Sequence, residues 1–462
     1  MSNQAGNKST VSLKRVLGLS ALFAVTIAGV CSQSSFVSLL NGAGTGGGSF
    51  FIAIFIAFLL TLCYVFSYLE LSLMMPKAGG IGTYTAVAGG YFISIGVVLG
   101  GYLAVIPFAG PAELMLLERV VGTAYPGVFS HLGLMLLLLL TILNLLGINI
   151  FASVQNIIVY TLFVTLFVIG VTGLKGADAK GAIPAEIWQQ LEHSGSSIFS
   201  LVVLALWSFA GLEFVCPLIE ETKRPEKNIP KAMIAGAIML LVVYSLIAFA
   251  GMRQIPSAIL GKSEIPHWLL VETLFGKASG LVIVVFAFTA TSCTANSIIA
   301  SVSRMLYGMA NQQQLPEVFK KIHPRWNTPW VGILFVAALV AVPLVFLSNA
   351  KNFIFLMLIS AATLWLMAYI VAHINVMVLR KKYPAFIRPF KTPLYPLPQI
   401  IGILGMGYAI LNNSPSPEMT IKVYTNAALI VVIVSLYSFF WVRFKMKKKL
   451  FETESIDEAI AD

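Results

Sequence analysis

The feature that most constrains this chain is the recurrence of apolar runs about 20 residues long, with most lysines and arginines held in the loops between them. Coiled as a helix, such a run matches the hydrocarbon thickness of a bilayer. Inside lipid every backbone N–H and C=O needs an internal partner, so only helices and closed barrels can span. Hydrophobic residues make up 58% of the chain and charged residues 11%, against about 45–50% and 25% in a soluble domain.

Hydropathy places about twelve spans over residues 16–40, 50–74, 91–117, 132–148, 154–173, 198–219, 233–252, 280–305, 331–347, 353–379, 397–411 and 427–442. With the N-terminus inside and the sides alternating, 22 of the 30 lysines and arginines fall on the inner face. This bias predicts a multi-pass cell-membrane protein with both termini cytoplasmic. The net charge of +11 is therefore a topology and lipid-headgroup signal, and no nucleic-acid partner is expected. Residues 1–12 form a polar tail with no cleavable leader, 13–443 a membrane unit and 444–462 a second tail. The acidic end, 451–462, reads as disordered. Cys31, Cys63, Cys216 and Cys293 lie within apolar runs without metal-type spacing. No cofactor and no metal site are expected.

Two spans carry polar interruptions. In the sixth, Trp207-Ser208-Phe209-Ala210-Gly211 precedes Glu213, within an apolar run ending at Glu220-Glu221. A carboxylate at membrane depth is costly and marks function by default, and glycine weakens the helix beside it. The segment reads either as a helix broken at a polar site or as a continuous helix whose Glu bonds a neighbour. In the first span, Ala28-Gly29-Val30 leads into Cys31-Ser32-Gln33-Ser34-Ser35. It reads either as an unwound stretch offering N–H and hydroxyl groups to a ligand or as polar glue between helices. The Gly-rich stretch 41–49 reads as a flexible loop and lacks the Lys-Ser/Thr of a phosphate-binding loop.

Glu70 lies about one turn from the inner edge and reads as an ion-pair partner. Pro107 should kink span three, and Glu113 and Glu118 approach the outer edge near Arg119. Span eight carries a hydroxyl-rich face, Thr289 to Ser303, suited to a cation site or to packing. His373 reads as structural. No filter-like repeat suggests a channel, and no paired Asp, His-Glu-x-x-His or Ser–His arrangement suggests an enzyme.

Three pieces together resemble the amino acid–polyamine–organocation superfamily of secondary transporters. They are Trp207 to Glu213 with Glu220-Glu221-Thr222-Lys223-Arg224-Pro225; Glu70 with Pro76-Lys77-Ala78-Gly79-Gly80 and Tyr84; and Ser303-Arg304-Met305-Leu306-Tyr307 through Pro316 to Thr328-Pro329-Trp330. The resemblance implies an all-α membrane fold of two inverted five-helix repeats, about 13–174 and 198–380, with spans one and six broken and two peripheral helices over about 397–443. It implies a small amino acid bound between the breaks and moved by alternating access, proton-coupled or by exchange. Matching interruptions in two halves are the best sequence pointer to a transporter site.

The residues expected around substrate are Ala28, Gly29, Ser32, Gln33, Ser34, Tyr102, Ile106, Trp207, Phe209, Ala210, Gly211 and Trp365. Trp207 matches a gating Trp of related exchangers, and Glu213 is the expected structural or proton-carrying carboxylate. Two departures from the family pattern stand out. Ser32-Gln33-Ser34 replaces the usual glycine-rich break, and span five lacks the Lys that replaces sodium in some proton-coupled relatives. An amine or polyamine permease, or an amino acid/amine antiporter, is the alternative. A channel or a non-transporting sensor is less favoured, and sodium is less favoured than a proton as coupling ion.

Overall fold

The computed structural model describes residues 13–127, 131–175, 198–347, 349–414 and 416–461. The chain runs as α1 (Leu19–Ala28), α2 (Gln33–Gly46), α3 (Ser49–Met74), α4 (Ile81–Gly89), α5 (Tyr91–Val98), α6 (Ile106–Ala124), α7 (Leu132–Leu145) and α8 (Ile148–Lys175). It continues as α9 (Ile198–Trp207), α10 (Pro225–Gln254), α11 (Pro266–Phe275), α12 (Ser279–Asn311), α13 (Trp330–Phe346), α14 (Lys351–Lys382), α15 (Leu397–Leu411), α16 (Pro417–Phe440) and α17 (Ile456–Ile460). Among the described residues there is no named strand, only an isolated bridge between Leu17 and Thr222. Among the described residues eight helical segments are long and apolar enough to cross a membrane, and the pair α1–α2, bent by 60°, makes a ninth. Three shorter apolar helices, α7, α13 and α15, accompany them.

The core is built from α1, α3, α9, α10 and α12, with α8 against α10 and α12. In contrast α16 leaves most of its length exposed, including Leu429, Ile433 and Leu436. Such surface suits lipid, which is as apolar as these side chains.

Pro107, expected to kink span three, does not divide it: Tyr91–Ala124 runs as one helical segment. Between α5 and α6 lies a wide π-type turn, Leu99–Leu103, and Pro107 sits in the first turn of α6, where its missing N–H costs nothing.

Two expectations fail. The glycine stretch 41–49 is the end of α2 and the start of α3, not a loop. Its glycines allow close packing: a Cβ on Gly44 would lie 2.8 Å from Gly261 Cα, and one on Gly46 2.5 Å from Leu201 Cδ1. The C-terminal tail is ordered. Tyr91 and Phe92 donate backbone hydrogen bonds to Glu452 (3.2 Å) and Leu450 (3.1 Å), and Glu454 donates to Ala86 (3.0 Å). Ile456 and Ala459 are buried, Lys77 Nζ reaches the Ala461 carbonyl at 2.7 Å, and Ser455 opens α17 with a capping box. Charge content alone predicts disorder; a few apolar residues at helical spacing, with backbone partners waiting, reverse it.

Residues 13–18 and the tail lie at the same end of the bundle. Leu17 pairs beside Thr222, and Ala78 N–H bonds Glu220, next to Lys77.

Candidate functional site

The two interruptions meet. Gly29, after α1, and Gly211, after α9, face each other so closely that a Cβ on Gly29 would lie 2.5 Å from the Gly211 carbonyl oxygen. Gly211 has φ +121°, which side chains rarely adopt. Ser208 Oγ donates to the Ser35 carbonyl (3.0 Å), tying the second break to the first turn of α2. Beyond Gly211 the chain continues as a 3₁₀ helix, Leu212–Glu221.

α12 holds both breaks. Ser297 Oγ donates to the Val25 carbonyl at 3.2 Å and Ser301 Oγ to the Phe214 carbonyl at 2.5 Å. Thr291 Oγ1 accepts from Gln33 Nε2 at 2.7 Å. Two hydroxyls of span eight thus bond backbone carbonyls at the breaks, whereas Thr289, Thr294 and Ser303 bond carbonyls of α12 itself. His373, also buried, bonds Ser67 through Nδ1 at 2.9 Å.

Beside the crossing lies a cavity of about 260 Å³. Gly29, Ser32, Ser34, Tyr102, Ile106, Trp207, Ala210 and Trp365 line it. Four other residues expected there do not. Ala28 is buried in α1, and Gln33 turns its side chain to Thr291. Phe209 packs its ring on Phe58 and Tyr244, and Gly211 lies behind Gly29. The wall extends along α6 to Leu116 and along α14 to Phe355, away from the end that carries the termini. Polar groups gather at the start of α2; Val105, Ile106, Ile298, Val340 and Leu358 make the remainder apolar.

Glu213 does not line the cavity but stands behind its aromatic wall. Its carboxylate accepts from Tyr102 Oη (3.2 Å), Trp365 Nε1 (3.1 Å) and Tyr369 Oη (3.0 Å). Tyr369 Oη in turn accepts the Gly211 N–H at 3.1 Å and its ring stacks on Tyr64, with centroids 4.4 Å apart. Tyr64 Oη closes the break by donating to the Phe209 carbonyl at 2.7 Å. Trp207 meets Trp365 edge to face at 6.0 Å. Glu213 therefore orients the two aromatic residues, Tyr102 and Trp365, that line the cavity.

The sequence placed Glu113 with Glu118 near Arg119. The structure separates them: Arg119 pairs with Glu264, and Glu118 accepts the Gly133 N–H at 2.9 Å. Glu113 lies on the cavity wall and accepts the N–H groups of Gln33 (3.0 Å) and Ser34 (2.9 Å). The signal for it was the break itself. A half-helix leaves its first N–H groups without internal partners, and Glu113 is an acid one helix away able to accept them. Phe214 and Tyr369 were also missed, being ordinary residues of apolar spans, and Thr294, on the wall, was read only as part of the hydroxyl-rich face of span eight.

Glu70 is held at the terminus-bearing end by Arg380 (Nε and Nη2, both 2.7 Å) and by Arg388 (3.3 Å). There too Glu221 and Arg304, both fully buried, form a two-point pair at 2.8 and 3.2 Å. Among the described residues no three His, Cys, Asp or Glu side chains are placed to hold a metal ion.

A profile of the amino acid permease family matches residues 17–440. The chain belongs to that family. Among its relatives is the serine/threonine exchanger SteT of Bacillus subtilis, 28% identical, with 89% of this chain and 94% of the relative covered. The branched-chain amino acid permease BcaP of the same organism is 27% identical over 88% and 90%. Its glutamate/serine transporter AimA is 27% identical over 95% and 84%. This amino acid permease thus places its two helix breaks, its cavity and its donor-held carboxylates within the matched region.

Proposed function

We propose that this permease moves a small neutral amino acid across the cell membrane by alternating access, with both termini in the cytoplasm and twelve spans arranged as two inverted five-helix repeats plus two peripheral helices. The observation that carries the reading is the cavity between two apposed helix breaks, polar at the start of α2 and apolar elsewhere. A broken half-helix with its N–H groups toward the cavity suits a carboxylate. The apolar remainder, with Thr294 as a hydroxyl on the wall, suits an uncharged side chain and offers no cation to an acidic one. The volume is below the roughly 300–1,000 Å³ of drug-sized pockets, as a small solute requires. The relatives named for serine, threonine and branched-chain substrates point the same way.

Within this reading Gly29, Ser32, Ser34, Tyr102, Ile106, Ala210 and Trp365 surround the substrate, Trp207 closes over it, and Glu213 is the proton-carrying candidate. One observation favours a second reading. The Glu113 carboxylate on the wall would attract an ammonium, which suits an amine permease or an amino acid/amine antiporter. Uptake into proteoliposomes decides between them. Labelled serine, threonine, leucine and their matching amines are offered with and without internal unlabelled substrate, at two external pH values. Uptake of the amino acids alone supports the first reading, dependence on internal substrate marks exchange, and uptake of the amines in their place defeats it. No movement of any of these compounds defeats both.

A further inference from the structure

Glu113 is the only acidic residue on the cavity wall among the described residues. Its two carboxylate oxygens each take one N–H, those of Gln33 and Ser34, at 3.0 and 2.9 Å. These are the first two N–H groups of α2. The next, that of Ser35, is already satisfied by Ser32 Oγ at 3.1 Å. No lysine, arginine or histidine forms an ion pair with Glu113 among the described residues, so a pair of backbone dipoles and nearby serine hydroxyls hold it.

A carboxylate gripped by two N–H groups at the positive end of a half-helix is the arrangement that a free amino acid's own carboxylate would seek there. Both cannot hold the same two donors. We propose that Glu113 is a built-in stand-in for the substrate carboxylate: it occupies the Gln33 and Ser34 N–H pair in the empty protein, yields the pair to an arriving amino acid, and takes it back as the substrate leaves. This rests on the transport reading above and adds a specificity-determining residue to it.

Two consequences follow from the exchange. First, the donor pair is satisfied in the empty and in the loaded protein, so neither state carries the cost of unpaired buried N–H groups. Second, affinity is set by the difference between two carboxylates competing for one pair of donors rather than by the donors alone. The competitor weakens binding, and by recapturing the pair it speeds release. A transporter gains from both, because a solute held too tightly is not delivered.

The test replaces the competitor and asks for carboxylate-specific tightening. Glu113→Gln keeps an oxygen acceptor of the same reach but removes the charge. Binding is read directly in detergent by intrinsic tryptophan fluorescence, to which Trp207 and Trp365 on the cavity wall contribute, titrated with an amino acid and with its carboxamide, which keeps the ammonium and lacks the carboxylate. Turnover is read by exchange in proteoliposomes. The expected result for Glu113→Gln is about a tenfold fall in the half-saturating amino acid concentration, no comparable fall for the carboxamide, and a lower maximal rate. A tenfold change corresponds to about 1.4 kcal/mol. Glu113→Asp, one methylene shorter and so held farther from both donors, should shift in the same direction, and it carries the test if the Gln variant does not fold. An unchanged or raised half-saturation, or equal shifts for amino acid and carboxamide, overturns the proposal while leaving the transport reading intact. Wild-type protein that binds no amino acid overturns both.

Discussion

Buried carboxylates are handled in two ways at two levels of this molecule. At the end carrying the termini, Glu70 and Glu221 meet arginines in close multi-point pairs. Around the cavity, Glu113 and Glu213 are held by neutral donors only: backbone N–H groups for one, phenol and indole groups for the other. A buried ion pair is rigid, since separating it strands two charges. A carboxylate held by neutral donors can exchange them or take up a proton without stranding a cation. The first kind locks helices together; the second leaves a group free to change partner during a transport cycle.

The largest effect expected from this contrast is at the lock. Arg304→Ala leaves Glu221 charged and unpaired beside the bridge to Leu17, and should cost about 3–5 kcal/mol, read as a large fall in detergent melting temperature. A variant as stable as wild type would remove the distinction between lock and cavity. Arg380→Ala should cost less, about 1–3 kcal/mol, because Arg388 and the Thr392 N–H (2.8 Å) still hold Glu70. Equal losses at Arg304 and Arg380 would show that the second arginine contributes nothing.

At the cavity, Glu213→Gln should leave melting nearly unchanged, within about 1 kcal/mol, since its donors are neutral and hydroxyls can reorient. The pH profile of transport should flatten; a profile of unchanged shape would make Glu213 purely a scaffold for Tyr102 and Trp365.

The smallest effect is expected at Glu454, in the tail, which belongs to neither group. Burial pushes its carboxyl up to about 7 from 4.5, with Glu458 adding to the rise and Lys448 opposing it. The docked tail therefore holds a proton that the released tail loses. Docking is strongest below about 4.5 and weakens as pH rises toward 7. Hydrogen exchange at 450–454 should quicken across that window in wild type by more than its intrinsic base-catalysed rise, and Glu454→Gln should follow the intrinsic rise alone. A wild-type rate with no extra pH dependence would refute the sign.

The membrane class, most span positions and the two interruptions were legible because length and hydropathy are local properties. Glu70 was legible as an ion-pair partner because its place near a span end restricts its options. The partners of Glu113 and Glu213 were not, because they join residues 80 and more than 100 positions apart. The glycines of 41–49 misled for a related reason: the same residue that frees a loop also permits helices to touch, and only the facing residues, Gly261 and Leu201, decide which. Gln33 looked like a ligand from its place in the break, yet its side chain is spent on Thr291 of α12, a choice made by the opposite helix.

The ordered tail also has a meaning in time. Residues 450–454 are made after α16, whereas the backbone groups they engage, on Ala86, Tyr91 and Phe92, are made before α6. The segment joining the second and third spans thus waits until α16 has been made for these hydrogen bonds. A chain that stops before residue 450 leaves the Ala86 carbonyl and the Tyr91 and Phe92 N–H groups without these partners, so an early helix is completed by a late strap.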